Sequence, residues 1–163
     1  MNRTDEIVKR IRLIVTGKEV RSEKAKQVAE AVRTLGNYRW VGVYDVGSEM
    51  VSILAYSGPG APAYPIFPIT QGLTGAAIRA KATVLVGDVQ SDPRYLTAFG
   101  STLSEIIVPI LDPLRGEVVG TMDVESERAN AFSSSEQPLL EECARAALPL
   151  WIPSSPRSER RQP

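Results

Sequence analysis

Glu105, Asp123 and Glu125 are the residues whose types and spacing could do chemistry. Asp123 and Glu125 are two apart in a strand-like run, so their side chains share a face, while Met122 and Val124 take the other. Glu105 opens a neighbouring strand candidate, and pairing of the two strands would bring three carboxylates to one end of a pocket. Like charges held close raise one another's pKa unless a cation joins them. Such a cluster suits the ammonium of an amino compound, or a hard metal ion. The same residues also allow a plainer reading, in which the acids lie on a solvated sheet face or Glu125 caps the turn at Ser126.

Two further groups could complete a site. Trp40 and Tyr44 are four apart on a strand candidate and share a face, as stacking walls need, although strand aromatics also pack in ordinary cores. Gly72-Leu73-Thr74-Gly75 opens a helix whose free N–H groups could hold an anion such as a carboxylate. Glycines before a helix are also common as tight turns. Acids at one pole and a helix N-terminus at the other would make a receptor for a zwitterion.

Composition narrows the chemistry further. The chain has no histidine, which removes the commonest general base and metal ligand. Its single cysteine, Cys143, can form neither an intrachain disulfide nor a thiolate-rich zinc site. Neither a Ser-His-Asp nor a Cys-His mechanism is available, and no metal or other cofactor is expected. Nineteen basic residues balance nineteen acidic ones, so there is no global field for nucleic acid or an anionic membrane. No apolar run is long enough to span a bilayer. The polar, acidic start Met1-Asn2-Arg3-Thr4-Asp5-Glu6 is unlike a signal peptide, so a cytoplasmic protein is expected.

These residues need elements to position them. Thr4 is a candidate cap for a first helix carrying Ile7, Val8, Ile11, Ile14 and Val15, and Ser22 for a second that stops near Gly36. Tyr38 to Val46 and Met50 to Tyr56 read as an antiparallel hairpin turning at Gly47-Ser48. Ser57 to Pro65 is a Gly/Pro/Ala loop, followed by a short edge strand at Phe67 to Ile69. A short helix over Gly72 to Ala80 and a strand over Ala82 to Val86 come next. Asp88 to Gly100 is a long irregular stretch of the kind that is often functional. Strands over Glu105 to Leu111 and Glu117 to Glu125 follow, then a capping box at Ser133 and Glu136 ahead of a last helix to about Leu148. Leu139, Leu140, Cys143 and Ala147 share one face of that helix, where an inert buried thiol is expected. Residues 1–152 read as one α+β domain, and 153–163 as a disordered Pro/Ser/Arg tail.

The segments Trp40-Val41-Gly42-Val43-Tyr44, Gly72-Leu73-Thr74-Gly75, Ser104-Glu105-Ile106 and Met122-Asp123-Val124-Glu125-Ser126 resemble a GAF domain. Within that superfamily they are similar to the free methionine-(R)-sulfoxide reductases, over roughly Ala29 to Leu148. The resemblance implies a central antiparallel sheet of five or six strands, with the terminal helices on one face and a loop-roofed pocket on the other. It implies that Trp40 and Tyr44 wall the ligand, that Glu105 and Asp123 contact it, and that Glu125 stands where the family has an aspartate. Asp88 and Asp92 match a common loop pattern of the fold and are expected to form Asx-type turns.

The departures are as specific. Positions that hold cysteines in those reductases carry Tyr64, Thr74 and Ala98 here. Sulfoxide reduction needs one thiolate to attack sulfur and a second thiol to resolve the product. Neither threonine nor alanine can take either part. The expected function is therefore a non-catalytic GAF module that binds a small ligand, methionine sulfoxide or another amino compound, as a stand-alone sensor or regulatory subunit. Its ligand-binding residues would be Trp40, Tyr44, Thr74, Ala98, Glu105, Asp123 and Glu125. Two alternatives stay open: a diverged reductase-like enzyme, and a homodimerisation module that pairs through its terminal helices around a vestigial pocket.

Overall fold

Helix α1 (Arg3–Val15) and helix α2 (Arg21–Gly36) begin the computed structural model, which describes residues 1–97 and 99–153. Strands β1 (Trp40–Val46), β2 (Met50–Ser57) and β3 (Ile66–Pro68) follow, then helix α3 (Gly72–Ala80) and strand β4 (Val84–Val86). After a 3₁₀ turn at Val89–Ser91 come β5 (Ser104–Leu111), β6 (Val118–Ser126) and helix α4 (Glu136–Ala147). The six strands form one sheet in the order β3-β2-β1-β6-β5-β4, and every pair is antiparallel. This is the α+β architecture expected, with six strands rather than five. Ala98 and residues 154–163 lie outside the described residues, and so does the expected tail apart from Pro153.

Period-two patterning decides which side chains reach which face of the sheet. Val41 and Val43 of β1, Ile106, Val108 and Ile110 of β5, and Met122 and Val124 of β6 point to the helical side. There they pack with Ile7 and Ile11 of α1, Val28 and Val32 of α2, and Leu140 and Cys143 of α4. Full burial stabilises each larger aliphatic side chain by roughly 1.5–3 kcal/mol, enough to outweigh the modest helix propensity of valine in α2. The alternate residues of β1, Trp40 and Tyr44, join Val51 and Phe67 in a separate cluster on the opposite face. Both sheet edges are strands of three residues, a length that limits edge-to-edge pairing.

The helix starts differ from the sequence reading in detail. Asn2 caps α1, its side chain accepting the Asp5 N–H at 2.8 Å, and Thr4 lies inside the helix. Val20 occupies the cap position of α2 without a side-chain bond, so Ser22 does not cap it. Asn37, in the left-handed region, ends α2 one residue beyond Gly36. Half of the capping box is made: Glu136 accepts the Ser133 N–H at 2.8 Å, while Ser135 occupies the cap position of α4. The hairpin turn closes as expected, with the Gly47 N–H donated to the Met50 carbonyl at 2.9 Å. Among the described residues, no helix is long and apolar enough to cross a membrane.

Candidate functional site

Register brings the three acids together. In the β5–β6 ladder Glu105 is directly opposite Glu125, and in the β1–β6 ladder Trp40 is opposite Glu125 and Gly42 opposite Asp123. The carboxylates of Glu105, Asp123 and Glu125 each place an oxygen within 4.8 Å of the others. They are 5%, 6% and 1% exposed, which removes the solvated-face reading. Like charges directly opposite on a ladder are destabilising, and burial without a counter-charge adds to the cost. Protons held on the acids, or a cation joining them, would offset this cost.

Electrostatics follow from the geometry. Burial first, and then the neighbouring Asp123 and Glu125, push the Glu105 carboxyl well above the usual range. Burial likewise raises Asp123, and a proton held on Glu105 and donated to Asp123 offsets part of that rise. Glu125 is pushed up to about 8 by burial and by Asp123, against the opposing pull of the Thr102 hydroxyl and Arg39. The Thr102 hydroxyl donates to Glu125 Oε2 at 2.9 Å, whereas Asp123 Oδ1 is buried with no hydrogen-bond partner. The Tyr44 phenol, buried beside the triad, is also raised, by burial first and then by the three acids. The raised carboxyls favour their protonated forms, which a cation in the pocket would oppose.

The pocket around the triad is built from three further segments. The first turn of α3 supplies Gly72, Leu73 and Thr74, the loop after β2 supplies Pro62 and Tyr64, and Tyr44, Phe67 and Leu96 fill in the wall. Gln71, at the cap of α3, makes no side-chain bond to the helix, and the first helical bond runs from Gly75 N–H to the Gln71 carbonyl. The N–H groups of Gly72, Leu73 and Thr74 precede that bond, so the helix start carries its orphan donors at the pocket wall. The cavity is about 30 Å³, room for one water. Pro62 and Tyr64 roof it, and Tyr64 is 46% exposed, with its outer side in solvent.

The sequence-derived residues divide into groups. Tyr44, Thr74, Glu105, Asp123 and Glu125 all line the pocket. Ala98 lies outside the described residues. Trp40 does not line the cavity but is fully buried in the aromatic cluster behind it. Its ring stacks on Tyr56 at 6.1 Å and tilts against Phe99 at 5.4 Å, and its Nε1 donates to the Gly60 carbonyl at 3.0 Å. Trp40 therefore anchors the loop that roofs the pocket. Gly42 makes room for this arrangement, since a Cβ there would lie 2.2 Å from the Trp40 ring and 2.9 Å from Tyr44. Gly58, at φ +150°, passes so close to Trp40 that a Cβ would meet its ring at 2.6 Å.

No sequence signal marks Thr102, Pro62, Phe67 or Leu96 as site residues. Thr102 sits three residues before Glu105 in a stretch without periodicity, so only the fold reveals its bond to Glu125. Asp88 and Asp92 do form Asx-type turns, accepting the N–H groups of Gln90 at 3.1 Å and Arg94 at 2.9 Å. Cys143 is fully buried on the helical side, with the sheet between it and the pocket, and burial pushes its thiol up to about 12.

The donor set favours an organic cation over a metal. A hard divalent ion wants six to eight oxygens, and much of the wall beyond the triad is carbon from Phe67, Leu73, Leu96 and Pro62. An ammonium needs only three acceptors and leaves the apolar wall for an attached side chain.

The sequence profile of the GAF domain family matches residues 21–147. GAF domain-containing protein A of Dictyostelium discoideum is 27% identical over 137 residues, covering 83% of this chain and 84% of that protein. The structure of free methionine-R-sulfoxide reductase from Neisseria meningitidis, in complex with its substrate, superposes with a TM-score of 0.82. It is 25% identical, over 91% of this chain and 88% of that one. The type II free methionine-R-sulfoxide reductase from Thermoplasma acidophilum superposes with a TM-score of 0.71 at 31% identity, over 80% of this chain and 94% of that one.

Proposed function

We propose, from the premise that this chain belongs to the GAF domain family, that it is a receptor for a small zwitterionic amino compound, methionine sulfoxide or a close relative, and that it binds without catalysis. The observation that carries this reading is the buried triad of Glu105, Asp123 and Glu125 facing a pocket whose other wall is a helix N-terminus. The triad takes the ammonium. The orphan N–H groups at the start of α3 take the carboxylate. Phe67, Leu73 and Leu96 cover the side chain.

Kinship with two reductases supports this class of ligand, and the chemistry of the chain argues against turnover. Attack on a sulfoxide sulfur needs a thiolate in the pocket, and a second thiol must then release the enzyme as a disulfide. Thr74 stands on the pocket wall, Tyr64 in its roof, and Cys143 lies across the sheet with a raised pKa. No described side chain of the pocket can carry either step. The reductase-like alternative would need turnover that survives Cys143→Ser and dies with Glu105→Gln.

The water-sized cavity favours a second reading, a structural module whose pocket is closed for good. Under the receptor reading the segment from Gly58 to Pro65 moves aside, releasing the Trp40–Gly60 bond. A thermal-shift scan over free amino acids, including both methionine sulfoxide epimers, separates the two. Saturation at one hundred times Kd stabilises by about 2.7 kcal/mol and raises Tm by about 5–10 °C. No shift with any compound would leave the closed-pocket reading in place.

A further inference from the structure

The one side-chain hydrogen bond that reaches the triad among the described residues comes from outside the pocket lining. Thr102 is 2% exposed and donates its hydroxyl to Glu125 Oε2. On its far side lies a separate cleft of about 320 Å³, lined by Gln90, Asp92, Tyr95, Phe99 and Thr102 among others. Thr102 is thus the partition between the solvent-facing cleft and the buried acids. Its place is set by the turn in which its N–H is donated to the Phe99 carbonyl, and by the adjoining Leu103 N–H, which is donated to Ser126 at 2.8 Å. Phe99 in turn packs on Trp40, the anchor of the pocket roof.

We propose that Thr102 is a positioning residue that fixes the charge-bearing oxygen of Glu125, and that Thr102 and Tyr95 form the path by which protons leave the triad for the cleft.

The need for such a path rests on the receptor reading. An entering ammonium displaces protons from the acids, and its own bulk then fills the front of the pocket. The Tyr95 hydroxyl is buried with no hydrogen-bond partner and lies on the Thr102 side of the triad. A rotation of the two hydroxyls links Glu125, Thr102 and Tyr95 in a chain. The Glu125 carboxyl then passes its proton to Thr102 Oγ1, Thr102 passes its own to the Tyr95 oxygen, and Tyr95, whose ring lines the cleft, releases one to water there once its buried hydroxyl turns out to solvent. Both hydroxyls end neutral, and Glu125 ends as the carboxylate that the ammonium requires.

The groups that face Glu125 are few. Asp123 lies on its own strand, Glu105 on β5, Tyr44 on β1, and Tyr95 and Thr102 in the segment before β5. Among the described residues Arg39, just before β1, is the one cation near Glu125, and it is paired with Glu127. Thr102 is the one that donates a hydrogen bond to Glu125 itself.

The test uses the free 163-residue chain and needs no ligand. Side-chain carboxyl ¹³C resonances are followed against pH in wild type, Thr102→Val, Thr102→Ser and Tyr95→Phe. Thr102→Val, nearly isosteric but without a donor, raises the Glu125 midpoint by roughly one pH unit. Thr102→Ser restores it. Tyr95→Phe leaves the midpoint in place and broadens the Glu125 resonance near it, because proton exchange with solvent slows. An unchanged midpoint in Thr102→Val, or equal shifts in the Val and Ser variants, would overturn the positioning role. An unbroadened Glu125 resonance in Tyr95→Phe would overturn the path. A null ligand panel alongside the Thr102→Val shift would fail the receptor reading and leave the positioning role standing.

Discussion

Glu105 and Glu125 occupy directly opposed positions on neighbouring antiparallel strands, and both are buried. Sheets seldom hold like charges this way, because burial strips each carboxylate of bulk solvent while the two repel. Asp123, two residues from Glu125 on the same face, compounds the problem. The stability of the free protein is therefore tied to protons on these acids.

That link fixes a pH dependence. A carboxyl whose folded pKa lies above its unfolded value binds more protons when folded. Its contribution to stability is full below the unfolded pKa of about 4.3 and is lost as pH rises through the folded value. For Glu125 the upper limit is about 8. Urea unfolding at stepped pH should show stability falling between about pH 4.5 and 8, with a flatter profile in Glu105→Gln, which removes one of the charges. A profile that rises over that window would mean that the acids are already paired with a cation.

Gly42→Ala tests the roof anchor. The added methyl group would overlap the Trp40 and Tyr44 rings, at 2.2 and 2.9 Å. Overpacking of this kind costs roughly 1–3 kcal/mol, so urea unfolding should show a lower midpoint. Trp40 fluorescence should also change, because the indole must leave its bond to the Gly60 carbonyl.

Cys143→Ser separates packing from chemistry. The thiol lies in the apolar helical core, and a buried hydroxyl without a partner costs about 1–3 kcal/mol. Ligand binding should be unchanged once the variant is held folded. The native thiol should also resist Ellman's reagent until the protein unfolds. Rapid native labelling would place the thiol nearer solvent than the α4 packing allows.

Tyr64→Ala opens the roof. Tyr64 faces the cavity with one side and solvent with the other, so its loss enlarges the entrance without touching the acids. The association rate for a ligand found in the thermal scan should rise severalfold by stopped-flow, with a smaller change in the dissociation constant. Equal rates in both proteins would show that the roof does not limit entry.

Much of this was legible in the sequence because the strands obey a period of two. Trp40, Gly42 and Tyr44 alternate with Val41 and Val43, and Asp123 and Glu125 with Met122 and Val124, so face assignments follow directly. The pairing of Glu105 with Glu125 came from a resemblance between segments, since periodicity says nothing about strand order. Trp40 shares a strand face with Tyr44 as a ligand wall would, whereas its place is set by a bond to Gly60 twenty residues away. Thr102 is not legible for a similar reason: its segment has no repeat, and long-range contacts alone bring it to Glu125. The caps misread at Thr4 and Ser22 reflect local competition, in which Asn2 and the extended Val20 start their helices first.

A receptor binds an amino compound and returns it chemically unchanged. Titration calorimetry with methionine-(R)-sulfoxide, in excess dithiol and followed by recovery of the ligand, tests it most directly. One-to-one binding is expected, with a roughly tenfold or greater loss of affinity in Glu105→Gln and sulfoxide recovered unchanged. Methionine in the recovered ligand, or binding indifferent to Glu105→Gln, would contradict it.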